Sequence, residues 1–330
     1  MPRVFSGIQP SGEMHIGNHL GAVRHWVADQ HRHDALFCVV DLHAMTVPYE
    51  APELADRTRE TAMLLLAAGL DPQRCILFVQ SHVAQHAELT WILNCVTTFG
   101  ELRRMTQFKE KSEGQESVSA GLFDYPVLMV ADILLYDTDQ VPIGDDQRQH
   151  LELARDVALR FNHRFGDTLV VPEATVPPVG ARIMDLQDPM AKMAKSSAAP
   201  QGTLLLLDPP EVASKKIKSA VTDSGTDVRY DPAAKPGVSN LIEIMAGVSD
   251  RPIPEVEATF AGMGYGAFKA AVAEAVVEYL RPLQDRYAQL SADPGEVARL
   301  LAVGAEKAEA LAAAVLARVR RASGLLPRSR

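Results

Sequence analysis

Short apolar runs alternate with stretches of helical periodicity through the first third of the chain. The pattern predicts strands near 4–8, 36–40 and 76–79. A helix that opens at 17–18 separates the first two strands, a helix at 52–69 separates the second from the third, and another helix follows at 86–105. The second run, Leu-Phe-Cys-Val-Val, is continuously apolar, as is typical of a strand buried on both faces. Strands that alternate with helical crossovers predict an α/β fold with a Rossmann-like doubly wound parallel sheet.

The pattern changes after the third strand. A polar stretch at 107–121 is typical of a solvated surface loop, and an apolar helix follows at about 125–136, with Asp124 as its predicted N-cap and Pro126 in its first turn. Val141 begins another short strand, which leads into a capped helix. Beyond about residue 205 no strand–turn–helix unit recurs, and the pattern predicts helices only, at 209–222, 239–248, 252–262, 264–289 and 294–324.

Composition narrows the class of protein. The chain has 330 residues, and 33 basic against 42 acidic side chains give a net charge of −9, so any contact with RNA must come from local patches. Cys38, Cys75 and Cys95 are scattered without a C-x-x-C pair, which indicates reduced core cysteines. The N-terminus lacks a charged-then-apolar signal segment, and no apolar run has membrane-spanning length. We expect a cytoplasmic protein with neither membrane nor DNA as a partner.

The turn after the first strand contains a candidate anion-binding site. Pro10, Ser11 and Gly12 end the strand, and His15-Ile16-Gly17-Asn18 opens a helix. Helix N-termini present unpaired N–H groups to anions, and glycine allows close approach to the backbone. The stretch matches neither the Gly-x-Gly-x-x-Gly pattern nor a P-loop. On this tetrapeptide alone, an ordinary strand–turn–helix connection remains an equal alternative.

A second motif, Lys192-Met193-Ala194-Lys195-Ser196, lies between Pro189 and Pro200. Two lysines three residues apart in a loop suit a clamp on a polyphosphate, because each ammonium is a point charge on a long stem. Together the two motifs resemble the HIGH and KMSKS signatures of class I aminoacyl-tRNA synthetases. The segments S-G-I-Q-P-S-G, G-E-L-R-R-M-T-Q-F-K-E-K, A-D-I-L-L-Y, V-P-I-G-D-D-Q-R-Q-H and G-A-R-I-M-D-L are similar to those of bacterial tryptophanyl-tRNA synthetases. Ala194 departs from the serine usual in the family.

The resemblance implies activation of L-tryptophan with ATP and Mg²⁺, followed by transfer of the amino acid to tRNA(Trp). Mg²⁺ would be held mainly by the ATP phosphates, and no structural metal is expected. The catalytic residues implied are Asn18, Lys111, Lys192 and Lys195. The ATP-binding residues implied are Gln9, Pro10, Ser11, His15, Gly17, Asn18, Gly144, Asp145, Asp146, Ile183, Lys192, Met193, Ala194, Lys195 and Ser196. From the residues alone, the 107–121 stretch remains a surface loop and Asp145 a simple helix cap.

Asp132 is the most informative residue for specificity. It lies in the apolar helix V-L-M-V-A-D-I-L-L-Y, where a carboxylate is costly to bury unless a group donates to it. Pairing with a backbone group or a neighbouring arginine would satisfy it. The resemblance implies instead that it accepts the indole N–H of tryptophan. His43 is open to two interpretations, a pocket wall or a satisfied buried histidine. The tryptophan-binding residues implied are Phe5, His43, Tyr125, Met129, Asp132, Val141, Ile143 and Gln147.

The resemblance also implies a domain plan. Residues 1–204 would form the catalytic domain, with a connective and dimerisation insertion at about 104–170, and 205–330 a helical anticodon-binding domain in a homodimer. Basic clusters at 215–218 and 318–321 are candidate tRNA contacts by this resemblance, although a solvated face explains such clusters more often than not. Two other functions remain open: a tyrosyl-tRNA synthetase of the same architecture, and a non-catalytic tRNA-binding or regulatory paralogue.

Overall fold

A computed structural model of the chain describes residues 1–10, 13–112, 117–143, 147–175, 182–194 and 200–327, and its side chains except those of 110–112. The described strands form one parallel sheet in the order β3-β2-β1-β4-β5. The doubly wound parallel sheet predicted from the sequence is confirmed. The strands are β1 (Arg3–Ile8), β2 (Asp34–Val39), β3 (Ile76–Val79), β4 (Gln140–Pro142) and β5 (Glu173–Thr175).

The strand order reverses between β1 and β4, and this position determines where ligands can bind. β1 pairs with β2 at six consecutive positions, whereas it pairs with β4 only at Val4 and Gln140. The two strands therefore separate beyond their first paired residues and open a crevice toward their carboxyl ends. In doubly wound folds, ligands bind in the crevice at this switch point.

Successive residues of the inner strands point to opposite faces of the sheet, because the side chains of a strand alternate. In β2, Phe37 and Val39 pack into one apolar cluster while Leu36 and Cys38 pack into another. All four side chains are essentially inaccessible to solvent. The sheet consequently has a core on each face, as its continuous apolar runs predict.

Helices cover both faces of the sheet. In chain order they are α1 (Ile16–Asn18), α2 (Arg24–Asp29), α3 (Asp41–Ala44), α4 (Ala51–Ala67), α5 (Gln85–Asn94), α6 (Phe99–Arg104), α7 (Thr106–Ser112), α8 (Ala120–Leu134), α9 (Arg148–Phe165), α10 (Pro210–Lys218), α11 (Pro236–Ser249), α12 (Ile253–Phe260), α13 (Tyr265–Ala292) and α14 (Pro294–Ala322). A π-helical turn, His19–Val23, joins α1 to α2, and short 3₁₀ turns lie at Gln80–His82 and Pro200–Gly202.

Several helix boundaries differ from the predictions. The single helix predicted at 86–105 is two helices, because Thr98 and Glu101 form a reciprocal capping box that starts α6. The polar stretch predicted as a loop is helical through Ser112. Ser119, rather than Asp124, is the N-cap of α8, and its hydroxyl accepts a hydrogen bond from the Leu122 N–H at 3.1 Å. Pro126 therefore lies inside the helix and not in its first turn.

Two smaller predictions also change. Gln147 occupies the N-cap position of α9 and its side chain makes no capping hydrogen bond, so the predicted capped start is wrong, and Asp145 lies outside the described residues. Cys95 is exposed at the end of α5, whereas Cys38 and Cys75 are buried as predicted.

The C-terminal helices pack directly on the sheet. α14 runs along the edge strand β3 at a separation so small that a Cβ built on Gly304 would lie 1.9 Å from the carbonyl oxygen of Leu77. The first half of α14 contributes to the core on one face of the sheet, for example through Leu301. Its second half contributes to the other core, for example through Val315. The helix thus covers a strand edge that would otherwise present unpaired backbone groups.

Candidate active site

A cavity of about 420 Å³ lies in the crevice between β1 and β4. β1 and β4 line it from either side, and α8 places Tyr125, Met129 and Asp132 along one wall at helical spacing of four and three. The structure brings all eight residues of the predicted tryptophan set to this cavity: Phe5, His43, Tyr125, Met129, Asp132, Val141, Ile143 and Gln147. Further lining residues, which the sequence did not single out, are Ser6, Gly7, Ala22, Trp26, Val40, Gln107, Ile133, Pro142 and His150.

Asp132 is the polar centre of this wall and is only 2% exposed. Its Oδ1 accepts hydrogen bonds from Gln80 Nε2 at 2.7 Å and from His86 Nδ1 at 2.6 Å. Its Oδ2 is 2.8 Å from His43 Nε2. The carboxylate is therefore buried with three donors rather than with a backbone group or an arginine. Both interpretations of His43 hold at once, because the same ring lines the cavity and pairs with Asp132.

These donors determine the charge of Asp132. Burial alone would raise the pKa of the carboxyl group, but the hydrogen bonds from His43 and His86 outweigh burial and hold the pKa below its usual range. Asp132 is therefore an ionised acceptor near neutral pH. An ionised acceptor in a mostly apolar cavity selects a ligand that offers an N–H or O–H group at that point.

Aromatic rings complete the wall. Phe5 stacks on Tyr136 with 5.7 Å between ring centroids, and His43 meets Tyr125 edge-on at 6.1 Å. The Tyr125 hydroxyl donates to Gln107 Oε1 at 2.9 Å and lies 3.2 Å from His150 Nε2. Phe5, His43 and Tyr125 thus give the cavity an aromatic wall, which suits an aromatic ligand with one polar edge.

The motif His15–Asn18 lies on the other side of β1. His15 is the N-cap of α1: its Nδ1 accepts from the Asn18 N–H at 3.3 Å, and Asn18 Oδ1 accepts from the His15 N–H at 3.2 Å. Gly17 leaves no room for a side chain, because an added Cβ would lie 3.0 Å from the His15 ring and 3.4 Å from Ile183. The backbone turn is therefore tight and supported from behind.

The segment at 182–194 approaches this turn. Met193 N–H donates to the carbonyl of Ile183 at 3.1 Å, and the Ala194 carbonyl accepts from the Thr203 hydroxyl at 2.9 Å. Met193 is buried, whereas the side chain of Lys192 is exposed. Since Ile183 packs against Gly17, the structure brings the two motifs, far apart in sequence, to one place.

Some predicted site residues cannot be placed. Ser11, Gly144, Asp145, Asp146, Lys195 and Ser196 lie outside the described residues. Lys111 belongs to α7, but its side chain also lies outside the described part of the chain. Among the predicted ATP residues that are described, Gln9 lines the cavity, and His15, Gly17, Asn18, Ile183, Lys192, Met193 and Ala194 form the supported turn and the adjoining segment. Pro10 is buried at the end of the stretch that follows β1.

Comparison with known proteins decides the family. The sequence profile described as tRNA synthetases class I (W and Y) matches residues 1–281. The chain is 54% identical to tryptophan–tRNA ligase 2 of Streptomyces avermitilis, over 99% of this chain and 98% of the relative. It is 55% identical to tryptophan–tRNA ligase of Caldanaerobacter subterraneus, over 99% of this chain and 100% of the relative. The chain belongs to the class I tRNA synthetases of the tryptophan and tyrosine group.

Solved structures agree with this assignment. The tryptophanyl-tRNA synthetase of Mycoplasma pneumoniae has a TM-score of 0.90 and 37% identity, and the alignment covers 99% of this chain and 98% of that one. The enzyme of Campylobacter jejuni, solved in complex with ADP and tryptophan, has a TM-score of 0.86 and 35% identity over 98% and 100% of the two chains. The bacterial synthetase resemblance seen in the sequence is confirmed.

The basic clusters of this class I synthetase have roles that the sequence did not reveal. Lys216 is buried and pairs with Asp208 at 2.7 Å, so it is not available as a tRNA contact. Arg318 donates to the carbonyl of Thr168 at 3.2 Å, and Arg320 pairs with Glu88 at 2.5 Å. These arginines join α14 to the segment after α9 and to α5. Lys215 and Lys218, by contrast, are exposed.

The described residues lack a metal cluster and a membrane-spanning helix. Within the described ranges, no three or more His, Cys, Asp or Glu side chains are grouped so that they could hold a metal ion. None of the described helices is both long and apolar enough to cross a membrane.

Proposed function

We propose that this chain is a tryptophan–tRNA ligase, which activates L-tryptophan with ATP and transfers it to tRNA(Trp). The observation that carries the proposal is the ionised, buried Asp132 in the aromatic wall of the crevice cavity. Full-length relatives named tryptophan–tRNA ligase at 54% and 55% identity support it. The indole of tryptophan suits the aromatic wall, and its N–H is the donor that Asp132 requires.

In the first step, a tryptophan carboxylate oxygen attacks the α-phosphorus of ATP. A P–O bond forms to the carboxylate, and the bond to the pyrophosphate oxygen breaks, giving tryptophanyl-adenylate and pyrophosphate. The attacking group is already ionised, so the enzyme has little proton transfer to perform. Its work is to position the two substrates and to neutralise charge on the leaving pyrophosphate.

The described residues divide this work between two regions. Phe5, Tyr125 and Asp132 orient the indole, and Gln147 is close enough to the cavity to bind the polar end of the amino acid. The turn at Gly17 and Asn18 receives the phosphates. Lys192, with Lys111 and Lys195, balances the pyrophosphate charge. Mg²⁺ is expected as the cofactor and would bring further positive charge with ATP; it needs few protein ligands because it binds substrate phosphates and keeps several waters.

In the second step, a hydroxyl of the 3′-terminal ribose of the tRNA attacks the activated carboxyl carbon and AMP leaves.

We further propose that the chain works in the cytoplasm as a homodimer. The division into a catalytic domain at 1–204, with its insertion at about 104–170, and an anticodon-binding region at 205–330 is part of the same proposal. The exposed Lys215 and Lys218 remain candidate contacts for tRNA.

The test is ATP–pyrophosphate exchange on the purified chain with tryptophan and, in parallel, tyrosine. Exchange with tryptophan and little with tyrosine is the expected result. Preferred exchange with tyrosine would replace the proposal by a tyrosyl-tRNA synthetase. A folded chain that binds ATP and exchanges with neither amino acid would favour the non-catalytic paralogue.

A further inference from the structure

The partners of Asp132 extend beyond the cavity wall. Gln80 and His86, which are both fully buried, approach Asp132 from the turn after β3 and from the first turn of α5. Their donors share Oδ1 of the carboxylate, at 2.7 and 2.6 Å. A carboxylate oxygen has about two acceptor positions, so Oδ1 is fully used. Among the described residues Oδ2 bonds His43 alone, which leaves one acceptor position toward the cavity.

The orientation of both donors is fixed by what lies behind them. The Gln80 side-chain oxygen accepts from the Leu42 N–H at 3.1 Å, so its amide nitrogen must face Asp132. On the far side of His86, Nε2 is 2.7 Å from the Tyr136 hydroxyl. Burial raises the pKa of Tyr136 well above its usual value, so the phenol keeps its proton and its O–H can donate a hydrogen bond to Nε2. His86 is thereby held with its proton on Nδ1, facing Asp132.

We propose that His86 and Gln80 are positioning residues that set the specificity of the cavity for an N–H donor, by holding Asp132 as an acceptor with one open position. This inference rests on the proposed function. If Oδ1 lost a donor, the carboxylate would be free to rotate or to take a proton. A ligand that lacks the N–H group is rejected because it leaves the Asp132 acceptor without a donor. A protonated or rotated Asp132 no longer presents that acceptor, so it discriminates poorly against such a ligand.

The test compares L-tryptophan with β-(3-benzothienyl)-L-alanine, in which sulfur replaces the indole N–H with nearly the same shape. The quantity measured is the ratio of kcat/KM for the two amino acids in ATP–pyrophosphate exchange. We expect His86→Leu, which removes the donor, to lower this ratio roughly tenfold or more, the effect of one lost charge-assisted hydrogen bond. His86→Asn, whose amide nitrogen can replace Nδ1, should retain most of the ratio, and KM for ATP should not change in either variant.

Two additional variants keep the result interpretable. Tyr136→Phe removes only the outer hydroxyl and should lower the ratio less than His86→Leu does. His82→Leu, at an exposed histidine four residues before His86, should leave the ratio unchanged. If His86→Leu does not fold, the kcat/KM ratios of His86→Asn and Tyr136→Phe are compared with that of the wild type. A ratio that is nearly kept in His86→Asn and lowered in Tyr136→Phe supports the positioning role, and ratios unchanged in both contradict it.

The outcomes separate this inference from the proposed function. Equal losses with both amino acids in His86→Leu, or an unchanged ratio in that variant, would overturn the positioning role while leaving the ligase function intact. A wild-type chain that activates neither amino acid would instead count against the function itself.

Discussion

The two regions that flank β1 are built in opposite ways. On the amino-acid side, the polar centre Asp132 is buried and already paired with protein donors. On the ATP side, the polar groups of His15 and Asn18 pair with each other to shape a turn, and the lysine described there, Lys192, extends into solvent. Under the proposed function, recognition of the amino acid would depend on a fixed acceptor in a low-dielectric wall, whereas activation would depend on exposed cations that meet the phosphates.

This difference has a physical reason. Discrimination between similar aromatic side chains requires a penalty for the wrong one, and only a buried polar group that would be left unpaired imposes a large penalty. Neutralising a developing charge on pyrophosphate requires net positive charge at the right place and tolerates a mobile ammonium. Substitutions on the two sides should therefore affect different kinetic constants.

The largest effect is expected from Asp132→Asn. An asparagine would turn an NH₂ group toward one of the donors that now bond the carboxylate, and the indole N–H would lose its charged acceptor. We expect kcat/KM for tryptophan in the exchange reaction to fall about 10³-fold, with KM for ATP nearly unchanged. Asp124→Asn is a matched control, because Asp124 lies on the same helix and bonds Asn94 instead. A loss under tenfold would contradict the role of Asp132.

Lys192→Ala should have the next largest effect. Removal of a cation that faces the leaving group is expected to lower kcat about 10²-fold, while KM for tryptophan stays near the wild-type value. Lys192→Arg should recover part of the rate because the charge is kept. The exposed Lys218→Ala serves as a control for removing any surface lysine. A rise in KM for tryptophan without a change in kcat would break the separation between the two regions.

As the pH falls, the two regions should lose their contributions to the stability of the fold at different pH values. Burial, with a smaller contribution from the charge of Arg24, lowers the pKa of His19 to about 4 at the turn that follows Asn18. The unfolded chain binds this proton near pH 6.5 and the folded chain only near pH 4, so His19 makes stability fall as pH drops through that window. The depressed pKa of Asp132 contributes stability above its unfolded pKa, which is lost only at lower pH still.

The corresponding experiment measures the free energy of unfolding by denaturant at pH 7 and pH 5 for the wild type and for His19→Gln. Glutamine keeps a polar group within reach of the Tyr279 hydroxyl, which now lies 2.9 Å from His19 Nε2. We expect the wild type to lose about 2 kcal/mol more than the variant over this range. Equal losses in both proteins would show that His19 is not buried in its neutral form.

The smallest effect is expected from Ala194→Ser, which restores the residue usual in the family. Ala194 already holds the segment through its carbonyl, which accepts from Thr203. A serine hydroxyl would add at most one hydrogen bond, worth on the order of 1 kcal/mol, so exchange should rise only a few-fold. A thousandfold gain in adenylate formation would show that the hydroxyl, and not the lysine charges, limits the ATP side.

The sequence predicted the sheet and the cavity wall better than it predicted polar partners. The inner strands follow from apolar runs, and the wall residues were implied by motifs near β1, α8 and β4. Gln80, His86 and Tyr136 were missed because their hydrogen bonds join segments that only the folded topology brings together. Lys216 was misjudged because a lysine in a basic cluster carries no local sign of burial. β5 was missed because the strand has only three residues and is too polar to give a detectable pattern.

The most direct test of the contrast between the two regions is equilibrium binding of L-tryptophan without ATP, measured by calorimetric titration. Since the donors of the amino-acid pocket are already in place around Asp132, the wild type and Lys192→Ala should bind tryptophan with similar affinity. Asp132→Asn should bind it at least a hundredfold more weakly, roughly the loss of a buried charge-assisted hydrogen bond. Tryptophan binding that requires ATP, or that falls equally in both variants, would contradict the account.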